Sequence, residues 1–367
     1  MSGQRPILLA AGGTGGHLFP AESLALALAA RGYAVELATD TRALKYGAAF
    51  PARAIHPVPA ATPTGGSVIS KALAALTLAR GTFAARALIK RIRPLAVIGF
   101  GGYPTVPPLL AAAQLHVPTV LHEQNAVIGR ANRFLAARVA AIGTGFPNLG
   151  GVSAEIKAKT HFTGNPVRPA VLTAADMPYP PRMDGRLRLL VTGGSQGARV
   201  MSEVVPPAVE LLDAQQRARL TIVQQARGED AAQVEAAYKR MGVAADIKPF
   251  FNDLPDQIAL AHLVIARAGA STVSELAVIG RPAILVPFPH ALDQDQAANA
   301  AVLAATGAVT VIKQSAFFPQ WLTTELARAL NDPAGLEMRA LAARQAGVRD
   351  AAERLADLVL RVAGGAK

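Results

Sequence analysis

The chain repeats one local pattern at two places about half its length apart. Each is a short apolar run, then a glycine-rich turn, then an apolar stretch able to form a helix. The first is Ile7-Leu8-Leu9-Ala10 followed by Gly12-Gly13-Thr14-Gly15-Gly16-His17. The second is Leu187-Arg188-Leu189-Leu190-Val191 followed by Gly193-Gly194-Ser195-Gln196-Gly197-Ala198-Arg199. Strand, tight turn and helix together bring bare backbone N–H groups and a helix N-terminus up to a phosphate, and glycine permits the close approach. Two such units predict two similar α/β domains that serve one anionic ligand, and 367 residues are enough for two cores.

The alternation continues on both sides of the repeat. Strand-like runs are expected at Ala34–Ala38, Leu95–Ile98, Thr119–Leu121 and Val139–Ile142, with helical stretches such as Pro20–Ala30 between them. That order predicts a parallel sheet with helices on both faces. The segment from Val167 to Arg186, with Pro169, Pro178, Pro180 and Pro181, is expected to be an interdomain linker. Strands resume at Leu187, then at Thr221–Gln224, Leu263–Ala266, Ala283–Pro287 and Val309–Ile312. The stretch Arg349–Val362 is amphipathic, with Leu355, Leu358, Val359 and Val362 on one face.

Between Pro94 and His122 there is no formally charged side chain, long enough to span a bilayer. Seven Gly and Pro residues interrupt it, so strand, loop, helix (Thr105–Leu115) and strand is the expected reading. The chain has no cysteine, which excludes disulfides and thiolate metal sites and fits a reducing compartment. No signal peptide is expected, since Met1 to Pro6 lead straight into a strand.

Charge is distributed unevenly. Residues 1–167 hold 16 Lys/Arg against 5 Asp/Glu, and residues 168–367 hold 21 against 20. The basic half either meets an anionic partner, nucleic acid or an anionic membrane surface, or merely carries a solvated basic surface. No helix-turn-helix, zinc-finger or aromatic RNA-binding signature accompanies it, which disfavours nucleic acid. Within it, Ser70–Arg93 carries Lys71, Arg80, Arg86, Lys90, Arg91 and Arg93 among leucines, with no acid. That stretch is either a surface helix whose apolar face is core or an interfacial helix for anionic lipid.

Neither glycine turn fits the dinucleotide fingerprint or the Walker loop, because the spacing and the Lys-Ser/Thr pair are missing. Asp40, at the end of the second strand, is either a cap or a ribose ligand. His17 stands where the first turn becomes a helix. A helix N-terminus disfavours a cation, so the imidazole should stay neutral, as a structural residue or as a proton acceptor. Asp293-Gln294-Asp295 has the spacing of a metal-binding pair, but its neighbours Pro289-His290 and Gln296 favour a polar ligand-contacting loop. Arg267 through Glu275 gives a third helix N-terminus suited to an anion, with Glu275 either capping it or accepting ribose hydroxyls.

Seven segments, in order, resemble the MurG family of peptidoglycan glycosyltransferases. They are Gly12 to Pro20, Gly99-Phe100-Gly101-Gly102-Tyr103, His122-Glu123-Gln124-Asn125, Gly164-Asn165-Pro166-Val167-Arg168, Gly193 to Arg199, Arg267 to Glu275, and Pro287 through Gln296. The resemblance implies the two-Rossmann GT-B architecture, with parallel sheets facing a central cleft. It implies an acceptor and membrane-association domain over 1–167, a UDP-GlcNAc domain over 168–348, and a C-terminal helix, 349–363, packed on the first. It implies inverting transfer of GlcNAc from UDP-GlcNAc to the C4 hydroxyl of MurNAc in lipid I, at the cytoplasmic face of the cell membrane, with no required metal. By the same resemblance Ser195 and its turn hold the donor diphosphate. Ala270, Ser271, Thr272, Val273, Ser274 and Glu275 line the nucleotide, with Glu275 on the ribose, and Phe251 offers its backbone to uracil. Asn125 and Gln296 bind GlcNAc hydroxyls, while Thr14, Gly15 and Gly16 approach the sugar and diphosphate and Arg168 the donor side. His17 is the implied general base.

Overall fold

The computed structural model describes residues 5–12, 15–40, 50–62, 67–181, 185–194, 197–291 and 294–364. The chain divides into two units, Met1–Arg168 with Arg349–Lys367, and Pro169–Val348. Arg168 thus closes the first unit rather than opening the second.

The first unit is built on a seven-stranded sheet in the order β3-β2-β1-β4-β5-β6-β7. The strands are β1 (Ile7–Ala10), β2 (Val35–Thr39), β3 (Ala54–Pro57), β4 (Ala96–Gly99), β5 (Thr119–Glu123), β6 (Ala141–Thr144) and β7 (Thr160–Phe162), all parallel. β1 shows why the sheet is two-faced. Ile7 and Leu9 join a core with Leu24, Leu28, Leu355 and Val359, while Leu8 joins the opposite core with Leu88, Ile89 and Leu109. Alternation along a strand sends successive side chains to opposite layers. The last helix, Ala351–Gly364, is one of the elements covering the first face, its Leu355, Leu358 and Val359 fully buried. Each such side chain taken out of water contributes about 1.5–3 kcal/mol.

The second unit has six parallel strands in the order β10-β9-β8-β11-β12-β13. They are β8 (Leu187–Thr192), β9 (Leu220–Gln225), β10 (Ala244–Lys248), β11 (Leu263–Ala266), β12 (Ala283–Leu285) and β13 (Val309–Val311). In both sheets the order reverses beside the strand that carries the glycine turn, between β1 and β4 and between β8 and β11. A crevice opens at such a switch point, outside the carboxyl ends of the strands, where open α/β sheets bind ligands.

The charge-free stretch folds as expected, with β4, helix Val106–Gln114 and β5 in succession. The linker expectation needs correction. Pro169–Ala175 is a helix that buries Val171, Ala174 and Ala175 in the second unit, with proline at its first position, where no N–H is needed. The proline-rich stretch after it is tied down by Arg281, which is 1 % exposed. Its guanidinium donates to the carbonyls of Ala259 (2.8 Å), Ile279 (2.9 Å), Gly280 (3.0 Å) and Pro178 (2.8 Å) and lies 5.6 Å from the Tyr179 ring centroid. Burial lowers its pKa to about 10, so it remains a cation at neutral pH.

The basic segment is a helix, Val68–Ile92, started by Ser67, whose hydroxyl accepts from Ser70 N at 3.1 Å. It is the one helix among the described residues long and apolar enough to cross a membrane. Two apolar faces divide its surface. Ala74, Gly81, Ala85, Leu88 and Ile89 are buried. Ile69, Leu73, Leu76 and Phe83 are exposed, Phe83 at 75 %, and their spacing of four, three and seven residues sets them on the opposite side.

Candidate active site

In the first unit the carboxyl ends of β1, β4 and β5 converge. Gly15 and Gly16 begin helix Gly15–Ala30, and His17 is its third residue. Thr14 lies outside the described residues. The imidazole is set against Gly101 and Gly102, both at positive φ (88° and 71°). A Cβ on Gly102 would stand 3.3 Å from His17 Nε2, tighter than ordinary contact, so a side chain there would crowd the ring. Gln124 Nε2 donates to the Phe100 carbonyl at 3.1 Å and lies 3.3 Å from His17 Nδ1. Burial lowers the His17 pKa, opposed by the Phe100 carbonyl, so the ring is neutral at pH 7. The helix N-terminus disfavours the imidazolium as well.

Beside it, His122 is fully buried and donates from Nε2 to the Gly164 carbonyl (3.2 Å), and burial lowers its pKa to about 4. Glu123 organises the next loop. One carboxylate oxygen accepts from Asn125 N (3.0 Å) and Asn125 Nδ2 (3.3 Å), the other from Gly129 N (3.0 Å) and Asn132 Nδ2 (2.8 Å). Burial still raises its pKa, ahead of the lowering by those donors. Asn125 is therefore held by its backbone and side-chain amide nitrogens. Arg168 stacks 4.5 Å from the Phe19 ring centroid, near Glu22. Asp40 is buried at the end of β2, and a Cβ on Gly12 would come within 2.8 Å of its carboxylate.

In the second unit, Ser195 and Gln196 lie outside the described residues, as does Asp293. The flanks of the turn are described. Gly194 has φ +81°, and a side chain on Gly193 would strike the backbone of Ala198. Helix Ala270–Ile279 starts after Gly269 and presents Ala270, Ser271, Thr272 and Val273 in its first turn. Ser274 follows. Glu275 is its sixth residue and buried, beyond the positions that cap a helix start, which disposes of the capping alternative. Phe251 buries its ring beneath Lys248 Nζ, 5.4 Å from the centroid. Gln296 uses its carbonyl internally, accepting from Ala268 N (3.3 Å) and Phe288 N (2.9 Å). Asp295 Oδ1 accepts from Gln296 N at 2.7 Å. Among the described residues no three His, Cys, Asp or Glu cluster so as to hold a metal ion.

Three polar side chains have roles that the sequence did not assign, though Arg267 and Gln124 fall in its motifs. Arg267 donates to the carbonyls of Val286 (3.0 Å) and Pro287 (3.3 Å) and to Gln314 Oε1 (2.7 Å), pinning the loop that carries Phe288. Gln124 and Gln225 are the others. Their signal in the sequence was position alone, a polar residue at the carboxyl end of a strand.

Comparison with known proteins agrees with this layout. Residues 7–144 match the glycosyltransferase family 28 N-terminal domain and residues 188–355 the family 28 C-terminal domain. A Methylobacterium sp. (strain 4-46) protein named UDP-N-acetylglucosamine–N-acetylmuramyl-(pentapeptide) pyrophosphoryl-undecaprenol N-acetylglucosamine transferase is 60% identical over 97% of this chain and 96% of its own. A Brucella canis protein of the same name is 54% identical over 100% and 96%. The crystal structure of Acinetobacter baumannii MurG matches with a TM-score of 0.79 at 29% identity, covering 97% of this chain and 99% of that one.

Proposed function

The chain belongs to the MurG family of glycosyltransferases, and from that membership we propose that it transfers GlcNAc from UDP-GlcNAc to the C4 hydroxyl of MurNAc in lipid I, forming lipid II. The observation that carries the proposal is near-full-length relationship to proteins bearing that activity in their names.

The reaction is a single displacement. The acceptor hydroxyl attacks the anomeric carbon as the UDP oxygen leaves from the opposite side, so no carboxylate nucleophile is needed. His17 takes the hydroxyl proton. Its neutrality at pH 7 supports that role. In that role Nδ1 keeps its hydrogen on the side of the Phe100 carbonyl, and Nε2 is the accepting atom. A base of this kind contributes about 10²–10⁴ in rate.

The departing diphosphate gains charge. Backbone N–H groups of the turn around Ser195 and the N-terminus of helix Ala270–Ile279 supply fixed dipoles for it, which makes a divalent metal unnecessary in this reading. Glu275 takes the ribose hydroxyls, the Phe251 backbone the uracil, and Asn125 and Gln296 the GlcNAc hydroxyls. With its carbonyl engaged, Gln296 has its Nε2 donors to offer the sugar.

Lipid I keeps its diphosphate and polyprenyl tail at the bilayer, so the acceptor domain works there, peripherally and on the cytoplasmic face. The exposed apolar face of helix Val68–Ile92, set among basic residues, supports an anionic membrane surface as the partner, and no nucleic acid. The test is incubation with labelled UDP-GlcNAc and a short-chain lipid I analogue, with and without chelator. The expected result is acceptor-dependent release of UDP and a labelled disaccharide-lipid in both. Release of UDP without acceptor, or epimerised GlcNAc, would overturn the reading, and rescue by Mn²⁺ alone would overturn its metal-free form.

A further inference from the structure

Gln225 ends β9 and is 5 % exposed. Its Oε1 accepts from Thr192 Oγ1 and from Gly193 N, both at 3.0 Å. Its Nε2 donates to the Gly194 carbonyl (3.0 Å) and the Pro249 carbonyl (3.1 Å). A carboxamide has two donor and two acceptor positions, and here all are filled by the protein. Gln225 therefore has nothing left to offer a ligand. What it does is join three strand ends: the start of the glycine turn after β8, its own strand, and the segment leaving β10 toward Phe251. Thr192 extends the staple, since its hydroxyl also accepts from Gly194 N at 3.3 Å.

Two of those strand ends serve opposite ends of the donor in the function given above, and this inference rests on that reading. Gly193 and Gly194 belong to the diphosphate turn, and Pro249 lies two residues before the backbone offered to uracil. We propose that Gln225 is a positioning residue that fixes the distance between the diphosphate turn and the base-binding segment. A ligand spanning both then gains from the fixed spacing, while a ligand reaching only one does not. Preorganisation of this kind lowers the ordering cost of binding without adding a contact.

Gln225→Glu tests this. It keeps an acceptor for Thr192 and Gly193 and sets a carboxylate oxygen against two carbonyls. The expected result is a Kd for UDP weakened by about tenfold or more, a Kd for uridine within about threefold, and a matching rise in KM for UDP-GlcNAc with KM for the acceptor unchanged. A folded variant with wild-type UDP affinity, or with equal losses for UDP and uridine, overturns the coupling. Where near-UV circular dichroism shows that Gln225→Glu has lost its fold, Thr192→Val carries the same test. It removes one hydroxyl and leaves the carboxamide, and about a threefold loss selective for UDP is expected; no selective loss overturns the proposal. Failure of the wild-type chain to bind UDP would remove the donor-site reading and this inference with it, whereas wild-type binding with an unaffected variant removes the inference alone.

Discussion

At the scale of residues, the proposed chemistry depends on keeping one imidazole uncharged. His17 sits where two effects push the same way: burial penalises the imidazolium, and a helix N-terminus repels it. A base with a lowered pKa is active when neutral, so kcat/KM should be level near pH 7 and fall as pH drops through that pKa, below the ordinary histidine value of 6.5. His17→Ala should lower kcat by about 10²–10⁴, remove that acid limb, and leave KM for UDP-GlcNAc within a few-fold. Steady-state kinetics across pH 5–9 checks it, and unchanged kcat would take His17 out of the reaction. His17 was legible in the sequence because a turn glycine run ends on it. Gln225 was not, because its work is to hold other segments, and its partners Thr192, Gly193, Gly194 and Pro249 lie on segments distant in the chain. The work of Glu123 was not, because only the folded loop turns Asn125, Gly129 and Asn132 onto its carboxylate.

At the scale of elements, legibility followed burial. β1 and β11 were read at their observed limits because every residue in them is buried and apolar, with Gly12 soon after the one and Arg267 directly after the other. β3, β7 and β10 were missed. All three are sheet-edge strands whose residues are half-buried or exposed, so no apolar run marks Ala54–Pro57, Thr160–Phe162 or Ala244–Lys248. The helix Val68–Ile92 was legible as basic and amphipathic, but not as having two apolar faces, since only the packed structure shows which one the core uses. Its free face makes a prediction. Leu73→Ser with Phe83→Ser should weaken binding to anionic vesicles by at least about tenfold, with little effect on transfer to a short-chain acceptor. Flotation with anionic and neutral vesicles at two salt concentrations measures this. Wild-type binding that is equal on neutral vesicles and insensitive to salt would contradict it.

At the scale of the whole molecule, one strand-turn-helix device appears in both units and does different work in each. In the proposed function the second unit's turn serves the leaving diphosphate, and the first ends in His17, the proposed base. The repeat and the parallel sheets were legible because glycine turns and fully buried strands leave strong local signals. The fate of the proline-rich stretch after Arg168 was not, since it depends on Arg281, a buried cation more than a hundred residues on, gathering four carbonyls. The central claim is a single displacement at the anomeric carbon, and the anomeric configuration of the disaccharide product tests it most directly. UDP-GlcNAc is the α-anomer, so NMR of the product should show GlcNAc joined to C4 of MurNAc in the β-configuration. An α-linkage, or a trapped glycosyl-enzyme, would contradict the account.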